Sequence, residues 1–474
     1  MGREQQLRDL RCLLRKRSPS LVTCRGRRRI GKSTLIREFG KEADRFLEFE
    51  GLPPRPGLKN TDQLATFSEQ LARQTMLPRV ALNGWPQALQ LLASTLGEER
   101  TVILLDEISW LGGFDPDFAG HLKTAWDRLF RRHAGLVLVL CGSVSAWIEQ
   151  NILRSTGFVG RTSWDLILDE LPLTSCDFFW GKNRHRIEVG EKLTVLSVTG
   201  GVPRYLEEID PGLSADENIR HLCFRPEGML FREFDQIFSD IFGKHTARYR
   251  EILRSLASGS RSVSEISGAL GKERSGHLTT HLNDLVLAGF VARDQSFDPK
   301  SGQVSRTAKY RLRDNYSRFY LRYIEPRRER IEADLMHQTS PAQLPEWDTV
   351  LGLQFENLVL SNIGALTELL GIAKTPVLSA SPYVQRATAR WKGCQVDLLI
   401  VTKHSLYIVE IKRRKRIGLE VVGEVEEKIR RMKSTPGRSV RTALVYQGVL
   451  ASAVEEEGYF DFVIPFATFL GMAG

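Results

Sequence analysis

The chain has few cysteines and no long apolar run. Its 474 residues include six cysteines, which are scattered and form no C-x-x-C pair. This spacing argues against structural disulfides and structural zinc, and it favours reduced thiols in a cytoplasmic protein. A run of about 18 apolar residues and a signal-peptide pattern are both missing, so the sequence predicts neither a membrane span nor secretion.

Positive charge is in excess. The chain has 67 Lys and Arg residues against 57 Asp and Glu residues, which gives a formal net charge of +10. This balance favours an anionic partner, with nucleic acid as the leading candidate, although a basic protein that binds only a nucleotide has the same charge. The length and a hydrophobic content of 42% indicate several domains, each with its own core.

One stretch near the start matches the phosphate-binding pattern G-x-x-x-x-G-K-[ST]. It lies between an apolar run, Leu21–Cys24, and a predicted helix, Ser33–Phe39, which is the strand–loop–helix setting that the pattern requires. The residues that match it, and that we expect to bind a nucleotide, are Gly26, Arg27, Arg28, Arg29, Ile30, Gly31, Lys32, Ser33 and Thr34.

The chemistry of this loop explains its spacing. Gly26 and Gly31 let the backbone turn its N–H groups toward one phosphate, and the helix N-terminus adds its positive dipole end. Lys32 is expected to bridge the outer phosphates, and Ser33 to offer a hydroxyl to Mg²⁺. A plain glycine turn, and a solvated basic turn for the arginines, are the alternatives.

A second apolar run, Thr101–Glu107, ends in two carboxylates and predicts a strand buried in a parallel sheet. At its end Asp106 is expected to hold Mg²⁺ through water, and Glu107 to polarise the water that attacks the γ-phosphate. A third predicted strand, Leu136–Cys141, leads to Ser143, which either senses the γ-phosphate or forms a strand-end turn.

With these motifs the chain resembles archaeal-type ATPases of the STAND class (signal-transduction ATPases with numerous domains), which are related to AAA+ proteins and carry the C-terminal domain DUF234. Residues 2–7, Gly-Arg-Glu-Gln-Gln-Leu, resemble the family's N-terminal box. The resemblance implies that Arg3 lies near the adenine and that Arg161, after Gly160, reaches the γ-phosphate of its own chain or of a neighbouring copy. It also implies that Pro203 belongs to the motif that closes a helical lid over the base. A surface arginine and a helix-start proline are the alternatives for Arg161 and Pro203.

The middle of the chain predicts a winged helix-turn-helix. The predicted helices and wing strands are Arg250–Leu256, Val263–Leu270, His277–Leu287, Gly289–Arg293 and Ala308–Leu312. One use of this module is DNA binding, with His277, Thr279, Thr280, His281 and Asn283 facing a groove. Intramolecular packing or a protein contact is the other.

The C-terminal part combines a predicted helix, Asp348–Asn362, with predicted strands Tyr383–Trp391, Gln395–Val401 and Leu406–Lys412, then a helix Glu420–Met432 and a strand Thr442–Gln447. This order resembles the PD-(D/E)xK nuclease superfamily. Asp397 and Glu410 would share Mg²⁺ or Mn²⁺, with Glu356 as a third carboxylate and Lys412 near the attacking water. A purely structural Glu410–Lys412 ion pair, and a binding module that does not cleave, stay open.

The sequence therefore predicts an α/β protein with a P-loop NTPase parallel sheet, a helical lid, a winged helix and a restriction-endonuclease-like domain. The boundaries are 1–165 for the ATPase core, 166–240 for the lid, 241–325 for the winged helix, 326–345 for a polar linker and 346–474 for the nuclease-like domain. The predicted function is an ATP-binding and ATP-hydrolysing switch coupled to a metal-dependent domain that binds or cleaves DNA.

Two other functions stay open at this point. One is a non-catalytic ATP-gated sensor or scaffold that oligomerises and binds its partner through a degenerate nuclease fold. The other is a slow, chaperone-like ATPase. A homo-oligomer is compatible with each of them.

Overall fold

The computed structural model describes residues 2–143, 145–271, 276–298, 301–389, 392–432 and 437–472. The chain divides into two compact units. The first consists of Met1–Asp169, Gln236–Lys244 and Leu287–Gly289, and the second consists of Glu170–Asp235, His245–Val286 and Phe290–Gly474.

The first unit is built on a five-stranded parallel sheet. Its strands are β1 (Ser20–Gly26), β2 (Arg45–Glu50), β3 (Thr101–Asp106), β4 (Leu136–Gly142) and β5 (Thr162–Leu168), in the order β2-β3-β4-β1-β5. Its longer helices are Glu4–Leu14, Lys32–Gly40, Asn60–Gln74, Trp85–Ser94 and Phe118–Arg128, with the second part of Met229–Phe242. Strands β3 and β4 are buried along their whole length, which explains why their sequences are mostly apolar.

Alternate side chains of the central strands fill two separate cores. Ile103 and Leu105 pack on one face of the sheet with Trp85, whereas Val102 and Leu104 pack on the other face with Ile36. This arrangement places the carboxyl ends of β1, β3 and β4 at one edge of the sheet, where parallel α/β proteins bind their ligands.

The second unit begins with helices that include Val189–Thr199 and Ala215–Cys223. Helices Thr246–Leu256, Val263–Ala269 and Gly276–Leu287 follow, and with them a sheet of order β6-β8-β7 whose strands are β6 (Arg261–Ser262), β7 (Val291–Asp298) and β8 (Gln303–Leu312). Both pairings in this small sheet are antiparallel.

The remainder of the second unit contains a five-stranded mixed sheet of order β13-β12-β11-β10-β9. The strands are β9 (Val377–Gln385), β10 (Cys394–Thr402), β11 (Ser405–Ile417), β12 (Ser439–Leu450) and β13 (Phe462–Pro465). Strands β9 to β11 pair antiparallel, and β11 to β13 pair parallel. Helix Trp347–Leu360 packs on one face through Phe355, and helix Glu420–Arg431 packs on the other through Val421 and Val425.

Several element boundaries differ from the sequence-based ones. Strand β9 ends at Gln385, whereas the sequence predicted a strand over 383–391, of which residues 390 and 391 lie outside the described residues. Strands β2, β5 and β13 were missed, because they are short and partly exposed and so lack a clear apolar pattern.

Two segments pack differently from what their composition suggested. The helical segment after residue 170 shares a core with the C-terminal sheet, since Leu193 and Leu196 belong to the same cluster as Phe355. The segment predicted as a polar linker contains the helix Arg328–Glu332 and buries Ile331 and Met336. Scattered apolar residues in a charged stretch were the available signal for this burial.

Candidate functional sites

The loop between β1 and helix Lys32–Gly40 needs glycine at two positions. Gly26 has φ = +147° and Gly31 has φ = +87°, both in the range that favours glycine. A Cβ added at Gly26 would lie 2.2 Å from the carbonyl oxygen of Leu168 in the neighbouring strand. Between the glycines, Ile30 is buried and anchors the loop in the core.

Lys32 lies over this loop. Its buried Nζ donates hydrogen bonds to the carbonyl oxygens of Gly26 at 3.1 Å and Arg27 at 3.0 Å, and to the Ser143 hydroxyl at 3.2 Å. Ser33 is partly exposed and Thr34 is exposed at the start of the helix. The ammonium group and the helix N-terminus thus present positive charge at one place, which is the arrangement that binds phosphate.

The end of β3 and the end of β4 meet beside Lys32. Asp106 is buried, and its Oδ1 accepts the backbone N–H of Glu107 at 3.0 Å. Glu107 has φ = +46°, a sparsely populated conformation for a residue with a side chain and one that is often found at functional sites. Its Oε1 accepts the Ser143 hydroxyl at 2.7 Å and its Oε2 accepts the Ser143 backbone N–H at 3.2 Å. Ser143 therefore connects Lys32 with Glu107.

Arg3 and Arg28, two of the arginines predicted to contact the nucleotide, bind different groups. Arg3 donates to the carbonyl oxygens of Ile30 at 3.3 Å and Asp169 at 2.5 Å, so it ties the N-terminus to the loop. Arg28 forms an ion pair with Asp240, and its guanidinium lies 5.8 Å from the centre of the Trp110 ring. Arg27 is buried, and Arg29 has φ = +70°. The predicted nucleotide contacts of these arginines stay predictions.

Arg161 and Pro203 are the two other residues for which nucleotide contacts were predicted. The guanidinium of Arg161 binds Asp127 through two hydrogen bonds of 2.8 and 3.0 Å, and Lys123 adds an ion pair at 3.0 Å. The hydrogen bonds from Arg161, and to a lesser extent from Lys123, lower the pKa of Asp127 to about 2. Pro203 lies in the second unit, as the first residue of the short helix Pro203–Leu206.

Glu50 is an acidic residue at this edge of the sheet that sequence reasoning missed. It ends β2 and stands in register with Asp106 on the neighbouring strand. Burial, followed by the negative charge of Asp106, raises the pKa of Glu50. The available signal was an acidic residue at the end of a short, partly apolar run.

The donor set at this edge suits Mg²⁺ bound together with a nucleotide. Ser33 would offer a hydroxyl oxygen and Asp106 a carboxylate oxygen, which are hard ligands of the kind that Mg²⁺ prefers, with phosphate and water as the others. Among the described residues, no group of three or more His, Cys, Asp or Glu side chains could hold a metal ion by itself.

A second cluster of charged side chains lies in the C-terminal sheet. Glu410 on β11 is fully buried and accepts hydrogen bonds from two ammonium groups. Lys412 Nζ lies 2.7 Å from Glu410 Oε1, and Lys428 Nζ lies 2.7 and 2.6 Å from the two carboxylate oxygens. Lys412 also binds Glu424 at 2.8 Å. The cluster thus joins β11 to the helix Glu420–Arg431.

Asp397 on β10 completes this cluster. Its Oδ2 accepts the Ile411 backbone N–H at 2.9 Å, and its Oδ1 lies 4.0 Å from Lys428 Nζ. Burial and the charge of Glu410 raise the pKa of Asp397 to about 7. The structure therefore brings together Asp397, Glu410 and Lys412, as the sequence predicted.

The predicted third carboxylate, Glu356, faces a different set of groups. Together with Arg311 and Asp294 it lines a polar cleft. Burial raises the pKa of Glu356, while the nearby Arg311 and Arg318 oppose the shift. The charge of Glu356 influences Asp397 and Glu410, but among the described residues these three carboxylates do not form a group that could hold a metal ion.

Lys428 and Glu424 were missed by sequence reasoning. They stand one helical turn apart on a charged helix, a spacing that is also typical of an ordinary solvated face. Only the packing of Val421 and Val425 against the sheet turns Glu424 and Lys428 toward β11.

Comparisons with known proteins agree with the first site. Residues 1–209 match the model of an ATPase domain predominantly from Archaea. The first 209 residues are therefore similar to an archaeal-type ATPase domain. It is also 24% identical over 423 residues to an uncharacterized protein of Methanocaldococcus jannaschii, and the match covers 87% of each chain.

Solved structures give more distant matches. A Walker-type ATPase of Pyrococcus abyssi is 19% identical, with a TM-score of 0.47, over 68% of this chain and 95% of its own. The ORC2 protein of Aeropyrum pernix is 14% identical, with a TM-score of 0.38, over 70% and 93%. A STAND protein of Pyrococcus horikoshii with a tetratricopeptide repeat sensor is 15% identical, with a TM-score of 0.29, over 78% of this chain and 50% of its own.

No helix in the described part of the chain is long and apolar enough to cross a membrane.

Proposed function

We propose that the protein is an ATP-hydrolysing switch whose nucleotide state controls a DNA-binding C-terminal region. The observation that carries the hydrolytic part is the hydrogen-bonded chain Lys32–Ser143–Glu107. It places a phosphate-binding ammonium group and a candidate general base on the two sides of one hydroxyl. A nucleotide bound by Lys32 therefore acts directly on the groups that orient Glu107.

In this proposal each residue of the first site has one task. Lys32 and the loop N–H groups bind the phosphates, and Ser33 and Asp106 would hold Mg²⁺, which neutralises phosphate charge when it is bound. Glu107 orients the attacking water and accepts its proton. Ser143 holds the Glu107 carboxylate in place through two hydrogen bonds.

The proposed coupling between nucleotide and DNA binding is supported by the path of the chain. Arg28, in the phosphate-binding loop, pairs with Asp240 on helix Met229–Phe242. The first residues of this helix, up to Asp235, belong to the second unit, and the residues from Gln236 belong to the first. A change in the loop that moves Arg28 thus acts on a helix that covalently joins both units.

The proposed DNA binding is supported by the order of elements before residue 313. Helix, short strand, two helices and two antiparallel strands follow one another as in a winged helix-turn-helix. On helix Gly276–Leu287 the side chains of His277, Thr280 and Asn283 are exposed, which suits contact with a groove. His281 instead packs edge-on against Tyr249 at 4.9 Å, so it is the least suited of the predicted contact residues.

Metal-dependent DNA cleavage is a second candidate function. It is favoured by the proximity of Asp397, Glu410 and Lys412 at one place of a mixed sheet. A comparison of wild type with Lys412→Ala tests it on plasmid and linear DNA, in Mg²⁺ or Mn²⁺, each with and without ATP. Cleavage by wild type alone would establish a nuclease, and its dependence on ATP would give the sign of the switch.

The switch itself is tested by DNA affinity in defined nucleotide states. The variant Glu107→Gln is saturated with either ATP or ADP. Fluorescence anisotropy then measures its affinity for a labelled DNA duplex across a series of salt concentrations. We expect at least about a fivefold difference between the nucleotides, since coupling between sites is ordinarily of that size or larger. Equal affinity in both states contradicts the coupling, and binding that is insensitive to salt contradicts contact with the DNA backbone.

A further inference from the structure

We infer that Lys428 is a resident cation of the C-terminal carboxylate cluster, where it takes the place that a divalent ion takes in a metal-dependent nuclease. The inference rests on the proposed nuclease-like fold of this domain, and it selects DNA binding without metal-dependent cleavage. It is independent of the ATPase site.

The first argument is the use of the Glu410 oxygens. Both of them lie within 2.7 Å of Lys428 Nζ, and Oε1 also lies 2.7 Å from Lys412 Nζ. The Glu410 side chain is fully buried, so water does not compete for these oxygens. A Mg²⁺ ion needs such oxygens at about 2.0–2.1 Å in a near-octahedral shell. It would therefore have to displace the Lys428 ammonium from its hydrogen bonds.

The second argument is the place of Lys428 between the two carboxylates. Its Nζ lies 4.0 Å from Asp397 Oδ1 in addition to its contacts with Glu410. The other oxygen of Asp397 is used by the Ile411 backbone N–H. One ammonium thus faces both side chains that the sequence assigned to a metal ion, and the donor set does not fit that ion while Lys428 is present.

The third argument is that the helix holds Lys428 in this position. Val421 and Val425 pack into the core beneath the sheet, and Glu424, one turn before Lys428, binds Lys412 at 2.8 Å. The Lys428 carbonyl oxygen accepts the Cys394 thiol at 3.3 Å. The side chain is about one quarter exposed at 23%, so its stem is packed while the ammonium reaches the carboxylates.

The charges of the cluster agree with this role. Lys412 and Lys428 stand opposite Asp397, Glu410 and Glu424, so each carboxylate has an ammonium group nearby. Buried charges of this kind are stable only when they are paired and hydrogen-bonded. Removal of the Lys428 ammonium leaves Glu410 and Asp397 with one ammonium fewer, which is the condition that favours uptake of a divalent ion.

The test is a Mn²⁺ titration of the full chain without nucleotide by calorimetry. It compares wild type, Lys428→Met and the double variant Asp397→Asn/Lys428→Met. We expect Lys428→Met to gain one Mn²⁺ site that binds at least tenfold more tightly than any site in wild type, and the double variant to lose it. Any uptake near Asp106 is common to the three proteins and cancels in the comparison.

Two outcomes overturn the inference. One is a wild type that binds Mn²⁺ as tightly as Lys428→Met, at a site that the single variant Asp397→Asn, titrated as an additional sample, has lost. The other is a folded Lys428→Met protein that gains no site. Should Lys428→Met fail to fold, Lys428→Gln replaces it, and thermal melts of wild type serve as a second readout. A Mn²⁺-induced rise in the wild-type melting temperature that Asp397→Asn abolishes would equally overturn the inference.

The same samples separate this inference from the proposed function. Wild-type affinity for a labelled duplex is measured in EDTA and in Mn²⁺, and equal affinity in both agrees with a resident cation. Loss of DNA affinity in EDTA counts against it. A wild type that binds no DNA in either buffer would contradict the proposed DNA binding, while the calorimetric result on Lys428 keeps its meaning.

Discussion

Glu107 holds Ser143 with both of its carboxylate oxygens, one on the hydroxyl at 2.7 Å and one on the backbone N–H at 3.2 Å. The same hydroxyl accepts Lys32 Nζ at 3.2 Å. The group expected to bind phosphate and the group expected to activate water are therefore linked through one serine. Because different residues carry the two tasks, mutations should affect binding and hydrolysis separately.

Lys32→Ala should lose nucleotide affinity. Removal of an ammonium that makes charge-assisted hydrogen bonds costs about 1.5–3 kcal/mol for each bond, so we expect at least a tenfold weaker binding of ATP. A fluorescent ATP analogue measures the affinity. Lys41→Ala is the matched control, because Lys41 is exposed on the end of the same helix and pairs only with Glu38 in the described contacts. Equal affinity in both variants would disprove the assignment.

Glu107→Gln should bind ATP with nearly unchanged affinity and hydrolyse it slowly. An amide cannot accept the proton of the attacking water, so turnover should fall by about 10²–10⁴. Phosphate release under saturating ATP measures it. Glu48→Gln, a partly exposed carboxylate on β2 that pairs with Arg37, serves as control. Undiminished turnover in Glu107→Gln would rule out its role as the base.

Ser143→Ala should lower turnover more than affinity. The variant leaves the backbone N–H bond to Glu107 but removes the hydroxyl that orients the carboxylate, and a lost hydrogen bond of about 1–2 kcal/mol corresponds to a roughly tenfold slower reaction. Steady-state kinetics separate kcat from KM. Ser143→Thr keeps the hydroxyl and should recover most of the activity. A loss confined to KM would instead favour direct contact with the nucleotide.

Gly26→Ala should destabilise the first unit and impair nucleotide binding. The new Cβ would meet the Leu168 carbonyl oxygen at 2.2 Å, at a φ of +147° that alanine rarely adopts. We expect a loss of about 2 kcal/mol or more in the free energy of unfolding. Gly120→Ala is the control, since its Cβ would meet nothing within 4 Å and lies in helix Phe118–Arg128. A stability change of the same sign and size in both variants would contradict the steric argument.

The stability of the second unit should depend on Asp397 and pH. The pKa of Asp397 is raised to about 7 in the folded protein, above an unfolded value of about 3.9, so the folded state binds the extra proton. Ionisation of Asp397 therefore lowers the free energy of unfolding. This destabilisation is absent below about pH 4, grows as pH rises, and is complete above about pH 7. Asp397→Asn removes this titration and keeps an oxygen for the Ile411 N–H.

Melting curves of wild type and Asp397→Asn from pH 5 to pH 8 measure this effect. The variant should gain stability relative to wild type as pH rises, by an amount on the order of 1 kcal/mol or more. A difference between the two proteins that stays constant over this range would contradict the raised pKa.

The geometry of the candidate phosphate-binding loop could be predicted from the sequence because its parts are local. The loop from Gly26 to Ser33 is contiguous, and its glycines, its lysine and the following helix lie within one short stretch of the chain. Asp106 and Glu107 close an apolar run that is buried along its length, so their place at the sheet edge follows from the pattern. Glu50 was missed because its strand is short and partly exposed.

The contacts that Ser143 and Lys428 make could not be predicted in this way. Ser143 is 36 residues from Glu107 and 111 from Lys32, and only the adjacency of β4 with β1 and β3 brings it between them. Lys428 is 18 residues from Glu410, and its direction depends on which face of the helix packs on the sheet. Charged helical residues of the same spacing commonly face water.

The sequence by itself determined the local elements of this protein: the phosphate-binding loop, the apolar strands, and the carboxylates and lysine on β10 and β11. Those elements depend on backbone conformation and on apolar periodicity over a few residues. The tertiary structure alone decided which distant side chains meet. It joined Lys32 to Glu107 through Ser143 and set Lys428 between Asp397 and Glu410, because strand order and helix packing bring charges together over distances that no local pattern encodes.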